Sequence, residues 1–360
     1  HNDTHTEREK SVVEGMSQRR QHHSSSAGSS SSRPSRKHSK GRTLVLSHRS
    51  LEDASLSAVL RQQEVQGGAA PVVALQVAHN ALSAPQVLLD TLCQEGMAST
   101  LTLINASHNQ WTVAPCPSSP ALFPQLAALL ATNNRISRIP VEFPLRWTHL
   151  QSLILNENAL ESLPDLSSLR QLHTLVLAKN RLTDQALQQA NLGELPALRK
   201  LSLGHNQLQK FPVAVLACPA LVELRLPGNK ITLVEIPEKK KSRLAPLETL
   251  VLSNNPIHSK HNVKGLELLA GTLQNLSMRG CPLSETVPDR QQQPSKRAKQ
   301  YVQWVREKLP QLVSLDDCLK FGFSEKQKTR RHRRLRAEHN TQRKTGTVVV
   351  EEEEVEMNTE

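Results

Sequence analysis

Two groups of side chains have the types and spacing to do chemistry, and in both it is recognition rather than bond-making. The first is the run Thr329-Arg-Arg-His-Arg-Arg-Leu-Arg336, flanked by Lys326, Lys328, Arg343 and Lys344. Its charges, Lys328, Arg330, Arg331, Arg333, Arg334 and Arg336, suit a phosphate-binding arm on RNA or a nuclear or nucleolar address. The run holds no aromatic residue for base stacking, so sequence-specific RNA reading is not expected. The alternative is a solvated basic tail that pairs with Glu351–Glu354 or another acidic protein surface. The second group is Leu130, Ile154 and Val176 beside Lys200, Glu223 and Arg225. An apolar stripe with a charged flank suits an amphipathic helix of a protein partner. The competing reading is that β-branched residues simply suit strands and that curvature hides them. His22-His23, His79, His108 and His205 are spread along the chain and read as solvated residues, so no metal is expected. No P-loop, G-x-S-x-G, H-E-x-x-H or dinucleotide fingerprint occurs, so neither an enzyme, a cofactor nor a small-molecule substrate is expected.

What brings the second group together is a recurring phrase, L-x-x-L-x-L-x-x-N. It stands at Leu150/Leu153/Leu155/Asn158, Leu172/Leu175/Leu177/Asn180, Leu198/Leu201/Leu203/Asn206, Leu221/Leu224/Leu226/Asn229 and Leu247/Leu250/Leu252/Asn255. Weaker copies extend the series of last positions to Asn80, Asn109, Asn134 and, at the far end, Cys281. Successive copies are 22 to 29 residues apart. If each copy contributes one strand to a parallel sheet, the strands repeat every ~4.8 Å and the leucines stack inward. The residue between the two strand leucines then faces outward. That row reads Gln76, Asn105, Leu130, Ile154, Val176, Ser202, Arg225, Val251 and Ser277; two residues earlier, it reads Ala74, Leu103, Ala128, Ser152, Thr174, Lys200, Glu223, Thr249 and Asn275. The asparagine amide is placed to satisfy turn backbone groups that would otherwise be buried unpaired. Cys281 should do this less well, which a terminal repeat tolerates.

On these residues the chain resembles the leucine-rich repeat superfamily over about 44–318. The resemblance implies an α/β solenoid, a horseshoe with a parallel inner sheet of nine or ten strands, about nine repeats and a cap at each end. The turn from Asn158 to Asn180, with Leu160, Leu163, Leu166, Leu169 and Leu172 at every third position, is similar to the short repeats of the leucine-rich regulatory subunit of protein phosphatase-1. Ile139-Pro140 and Phe211-Pro212 predict irregular or 3₁₀ outer arcs, since proline removes a donor. Thr183-Asp184 predicts a capped helix to about Ala190. Leu44-x-Leu46-x-x-Arg49-x-Leu51 reads as a half-repeat, followed by a helix to about Gln66, which closes the first turn. At the other end Tyr301, Val305 and Leu309 are spaced by four, so a helix lays an apolar stripe over the core, with Trp304 at its edge. With Leu312-x-x-Leu315-Asp316 this closing segment, about 295–318, is similar to the cap of the spliceosomal A-prime protein, and of acidic nuclear phosphoproteins and axonemal proteins.

The chain has 360 residues and a net charge of +12, unevenly distributed. Residues 1–43 carry nine basic and four acidic side chains in a serine-rich setting and are expected to be a disordered tail. Residues 319–345 carry ten basic and two acidic side chains, a basic tail open to helix formation; residues 346–360 carry six glutamates and no base, an acidic disordered end. The five cysteines are scattered, without a C-x-x-C pair, and read as free thiols of a reducing compartment. No run of 18 apolar residues suggests a membrane span. The first residue is His1 rather than Met, which leaves a targeting peptide open. These features predict a non-enzymatic scaffold gripping a protein on its concave face. They place it inside the cell, in the nucleus or nucleolus, or alternatively in the cytoplasm or on the cytoskeleton. Two alternatives are a ribonucleoprotein component with the basic tail on RNA, and a cytoskeletal or axonemal docking protein.

Overall fold

The computed structural model describes residues 41–66, 70–239, 244–284, 296–316 and 319–320. Each repeat phrase makes one very short strand and the closing segments add more: β1 Arg42–Val45, β2 Val72–Gln76, β3 Leu103–Asn105, β4 Ala128–Leu130, β5 Ser152–Ile154, β6 Thr174–Val176, β7 Lys200–Ser202, β8 Glu223–Arg225, β9 Thr249–Val251, β10 Asn275–Ser277, β11 Ser314–Leu315 and β12 Leu319–Lys320. They form one open sheet in sequence order, parallel from β1 to β11, with β12 antiparallel on the edge. The register is the one the phrase dictates: Leu153 lies beside Leu175, and Leu175 beside Leu201. The count exceeds the nine or ten expected because both closing segments add strands. Arg42–Val45 pairs with β2, and Ser314–Leu315 continues the L-x-x-L phrase beside β10.

The strands are short because the backbone reverses at a fixed place. The residue before each ladder asparagine takes a positive φ: His79, His108, Asn133, Glu157, Lys179, His205, Gly228 and Asn254, and Gly280 before Cys281. Such a conformation ends an extended strand and favours Gly, Asn and His. Glu157 and Lys179 adopt it too, and their side chains pair across the turns at 2.7 Å. His79 and His108 are not the solvated residues expected. The half-buried ring of His79 is stacked between those of His48 and His108, with centroids 4.2 and 4.0 Å away. The one-turn repeat puts equivalent side chains directly above one another.

The next residue is the asparagine, and its amide locks two turns together. Asn158 Oδ1 accepts from the Ile136 N–H of the preceding turn (2.9 Å), while Nδ2 donates to the carbonyls of Ala131, Leu155 and Asn156 at 2.9–3.1 Å. The pattern recurs at Asn109, Asn180, Asn206, Asn229 and Asn255. Cys281 keeps half of it. Its thiol donates to the Leu252 carbonyl at 3.2 Å, but the Ile257 N–H, which in the other turns reaches the asparagine oxygen, turns back to the Asn255 carbonyl.

Behind the sheet a single apolar core runs from Leu44 to Leu315. The outer arcs close it with little helix: α1 Asp53–Gln66 and α2 Pro85–Gln94 near the start, α3 Phe143–Arg146, and α4 Asp184–Gln189 capped by Thr183. Val213–Ala217, after Phe211-Pro212, is 3₁₀. The five leucines of the shortest turn are all buried. At the end of the core lies α5, Lys296–Lys308, whose Tyr301 and Val305 are buried in it, as are Leu309 just beyond the helix and Trp304 beside the stripe. The Tyr301 hydroxyl donates to the buried Asp316 carboxylate, and Asp316 in turn accepts from the Met278 N–H. Burial and that adjacent carboxylate hold the Tyr301 pKa well above the ordinary tyrosine value.

Candidate functional site

The concave face is built from the outward positions of the strands. On β3 to β6 the apolar ones are Leu103, Ala128, Leu130, Ile154 and Val176, which form a cluster of their own, separated from the core by the sheet, with Ala74 packed against it. Neighbouring strands present these side chains at about 4.8 Å intervals on an inwardly curved surface, so each fills the gap beside the next. Leu130 is 7% exposed and Ile154 and Val176 are each 4% exposed. The stripe is therefore continuous but shallow, and the curvature does hide most of each side chain.

On β7 and β8 the face changes character. Glu223 takes both cations: Arg225 Nε donates to its Oε1 at 2.5 Å, and Lys200 Nζ lies 3.4 Å from its Oε2. All three side chains are between one sixth and one third exposed. A small concavity sits where the halves meet, with Ile154, Thr174 and Val176 on the apolar side and Lys200, Glu223 and Arg225 on the charged side. The structure thus gathers the six outward residues singled out above onto one surface. Two cations meet one carboxylate there in a partly dry site, where charges are screened less than on an open surface.

Sequence spacing alone did not single out the polar groups beneath this surface. The Ser152 hydroxyl and the Asn105 Nδ2 are buried on the same face without a partner among the described residues. So is Gln151 Oε1 at the entry to β5. Buried polar atoms without partners are uncommon and costly. Both Ser152 and Asn105 stand in outward rows, so their place was readable but their isolation was not. At the start of β6, His173 is half-buried, and burial lowers its pKa below the ordinary value; a backbone hydrogen bond at Gln171 opposes this and the Arg199 charge adds to it. The unfolded chain therefore takes up this proton more readily. The stabilisation from neutral His173 is complete above about pH 6.5 and is lost as pH falls below it. His173→Gln is expected to lose less melting temperature between pH 8 and pH 5 than the parent; an equal loss in both would contradict this.

Among the described residues no group of histidine, cysteine, aspartate or glutamate is arranged to hold a metal, and no helix is long and apolar enough to cross a membrane. Among the described residues Cys93, Cys116, Cys218 and Cys281 form no disulfide with one another. Cys218 donates to the Leu192 carbonyl, and burial pushes its thiol up to about 11. The basic positions Lys328, Arg330, Arg331, Arg333, Arg334 and Arg336 lie outside the described residues, as do residues 1–40 of the tail expected at 1–43 and residues 321–360 of those expected at 319–345 and 346–360.

Comparison with known proteins agrees with the fold and corrects the compartment. The leucine rich repeat family model matches residues 124–182 and 170–231. Human podocan-like protein 1 is 32% identical over 206 residues, covering 51% of this chain and 38% of that protein. Human keratocan is 30% identical over 156 residues, covering 41% of this chain and 42% of that protein. The chain thus spans less than half the length of these relatives. The solved leucine-rich repeat protein LIC12759 of Leptospira interrogans has 24% identity and a TM-score of 0.44, over 68% of this chain and 72% of that one. Podocan-like protein and keratocan are secreted proteins of the extracellular matrix, which overturns the expectation of an intracellular, nuclear chain drawn from scattered cysteines and basic tails. Free thiols and tail charge are weak guides to compartment, because neither takes part in the repeat that defines the fold. The repeat residues and their asparagine ladder fold this chain as an open leucine-rich repeat solenoid, and the stretch 124–231 within it matches the leucine rich repeat family.

Proposed function

We propose that this chain is a non-enzymatic scaffold that binds a protein segment on its concave face, across Leu130, Ile154 and Val176 and onto Lys200, Glu223 and Arg225. The observation that carries the reading is the change along one surface from a continuous apolar stripe to a half-buried cluster of two cations on one carboxylate. The charged flank, the more exposed part, holds a partner of complementary charge and fixes its register, while the shallow apolar stripe shapes the surface beside it. Replacing Leu or Val on such a face removes contact area, whereas reversing the charges removes complementarity while leaving the core untouched. The double variant Lys200→Glu with Arg225→Glu, in the intact chain, is expected to melt within a few degrees of the parent and to lose at least tenfold in affinity for a partner captured by the parent. Binding of that partner at parental strength would refute the concave site. The basic segment 326–344 adds a second contact in this reading, and two tethered contacts bind more tightly than either alone.

A further inference from the structure

We propose that the concave face also takes the chain's own acidic end, residues Val348–Glu356, as an internal occupant that a partner must displace. This rests on the reading of the face as a binding surface. The order of chemistry matches on both sides. Along the sheet, Leu130, Ile154 and Val176 occupy β4 to β6, and Lys200 and Arg225 occupy β7 and β8. At about 4.8 Å per strand, the apolar part spans about 10 Å and the cationic part about 10 Å more. In the sequence, Val348, Val349 and Val350 are followed directly by Glu351–Glu354. Laid extended across the strands at about 3.3 Å per residue, three valines cover about 10 Å and four glutamates about 13 Å. Nowhere else in the chain do three successive valines or four successive carboxylates occur.

Charge points the same way. Lys200 and Arg225 on β7 and β8 together exceed Glu223 by one formal positive charge. The last 15 residues carry six negative charges and no positive one. The tether is long enough. From Lys320, at the end of β12, 27 residues lead to Thr347. Eight strand spacings, about 38 Å, separate β12 from β4. A chain of that length can reach at most about 90 Å, more than twice the distance to be spanned.

Zero-length carbodiimide coupling of the intact chain, prepared as an equal mixture of isotopically labelled and unlabelled protein, tests this by mass spectrometry. Lys200 is expected to couple to Glu351–Glu354 within one chain. The Lys200–Glu223 product reports that the reagent reaches the site. Arg225→Glu, which leaves Lys200 in place, is expected to reduce the coupling to the acidic end at least tenfold. Coupling of these glutamates only to Lys326, Lys328 and Lys344 would overturn the proposal in favour of pairing within the tail. Products that join labelled to unlabelled chains would overturn it in favour of a second copy. Neither result touches the partner-capture test, so the two readings fail separately.

Discussion

Leu175→Asp is expected to abolish the cooperative melt of the solenoid. Leu175 is fully buried at the midpoint of β6, with Leu153 and Leu201 directly beside it in the strands on either side. An unpaired carboxylate at that point has no compensating donor on the core side of the sheet. Leaving a charge buried and unpaired costs about 3–5 kcal/mol, and removing the leucine contributes about 2–5 kcal/mol of lost packing and cavity. Together these rival the ~5–15 kcal/mol by which a domain is stable at all. Because each turn packs only on its neighbours, a failure in the middle deprives both halves of a stacking surface. Circular dichroism against temperature reads the outcome. A melt within a few degrees of the parent would mean that the leucine does not face the core.

Asn180→Ala is expected to destabilise the chain by at least ~3 kcal/mol, although it removes no apolar contact. The Leu160 N–H donates to Asn180 Oδ1, and Nδ2 donates to the carbonyls of Leu155, Leu177 and Ala178. Alanine leaves these backbone groups buried at the turn, and each unsatisfied group costs about 1–3 kcal/mol. The same change at the end of the ladder is predicted to matter less. Cys281 already forgoes the oxygen, and the Ile257 N–H has found the Asn255 carbonyl instead. Denaturant titration of Asn180→Ala against Cys281→Ala measures the contrast, and equal losses would contradict the account of the ladder.

Most of the fold was legible because the repeat writes the same physical constraint many times. Leucine at fixed offsets specifies the inner side of the sheet, and asparagine marks the reversal; Leu153, Leu175 and Leu201 lie in the register the phrase implies. The N-terminal half-repeat and the Tyr301 cap were readable for the same reason. What was not legible depends on the stacking distance between turns rather than on offsets within one turn. The rings of His48, His79 and His108 meet only because each occupies the reversal position of successive turns, and their separations of 4.2 and 4.0 Å follow from that. Likewise, spacing placed Leu130, Ile154 and Val176 on one face, but the closeness of adjacent strands on a concave surface determines that so little of each is exposed. The isolation of Ser152 and Asn105 depends on what their neighbours lack, which a periodic pattern does not encode. The compartment was misread from tails and cysteines that the repeat does not constrain.

The most direct measurement of the central claim is hydrogen–deuterium exchange of the intact chain with and without its captured partner. The account predicts added protection in the strand segments from β4 to β8, centred on residues 152–154, 174–176 and 200–202, with the outer arcs unchanged. Protection confined to the outer arcs, or to residues 326–344, would contradict a concave binding surface.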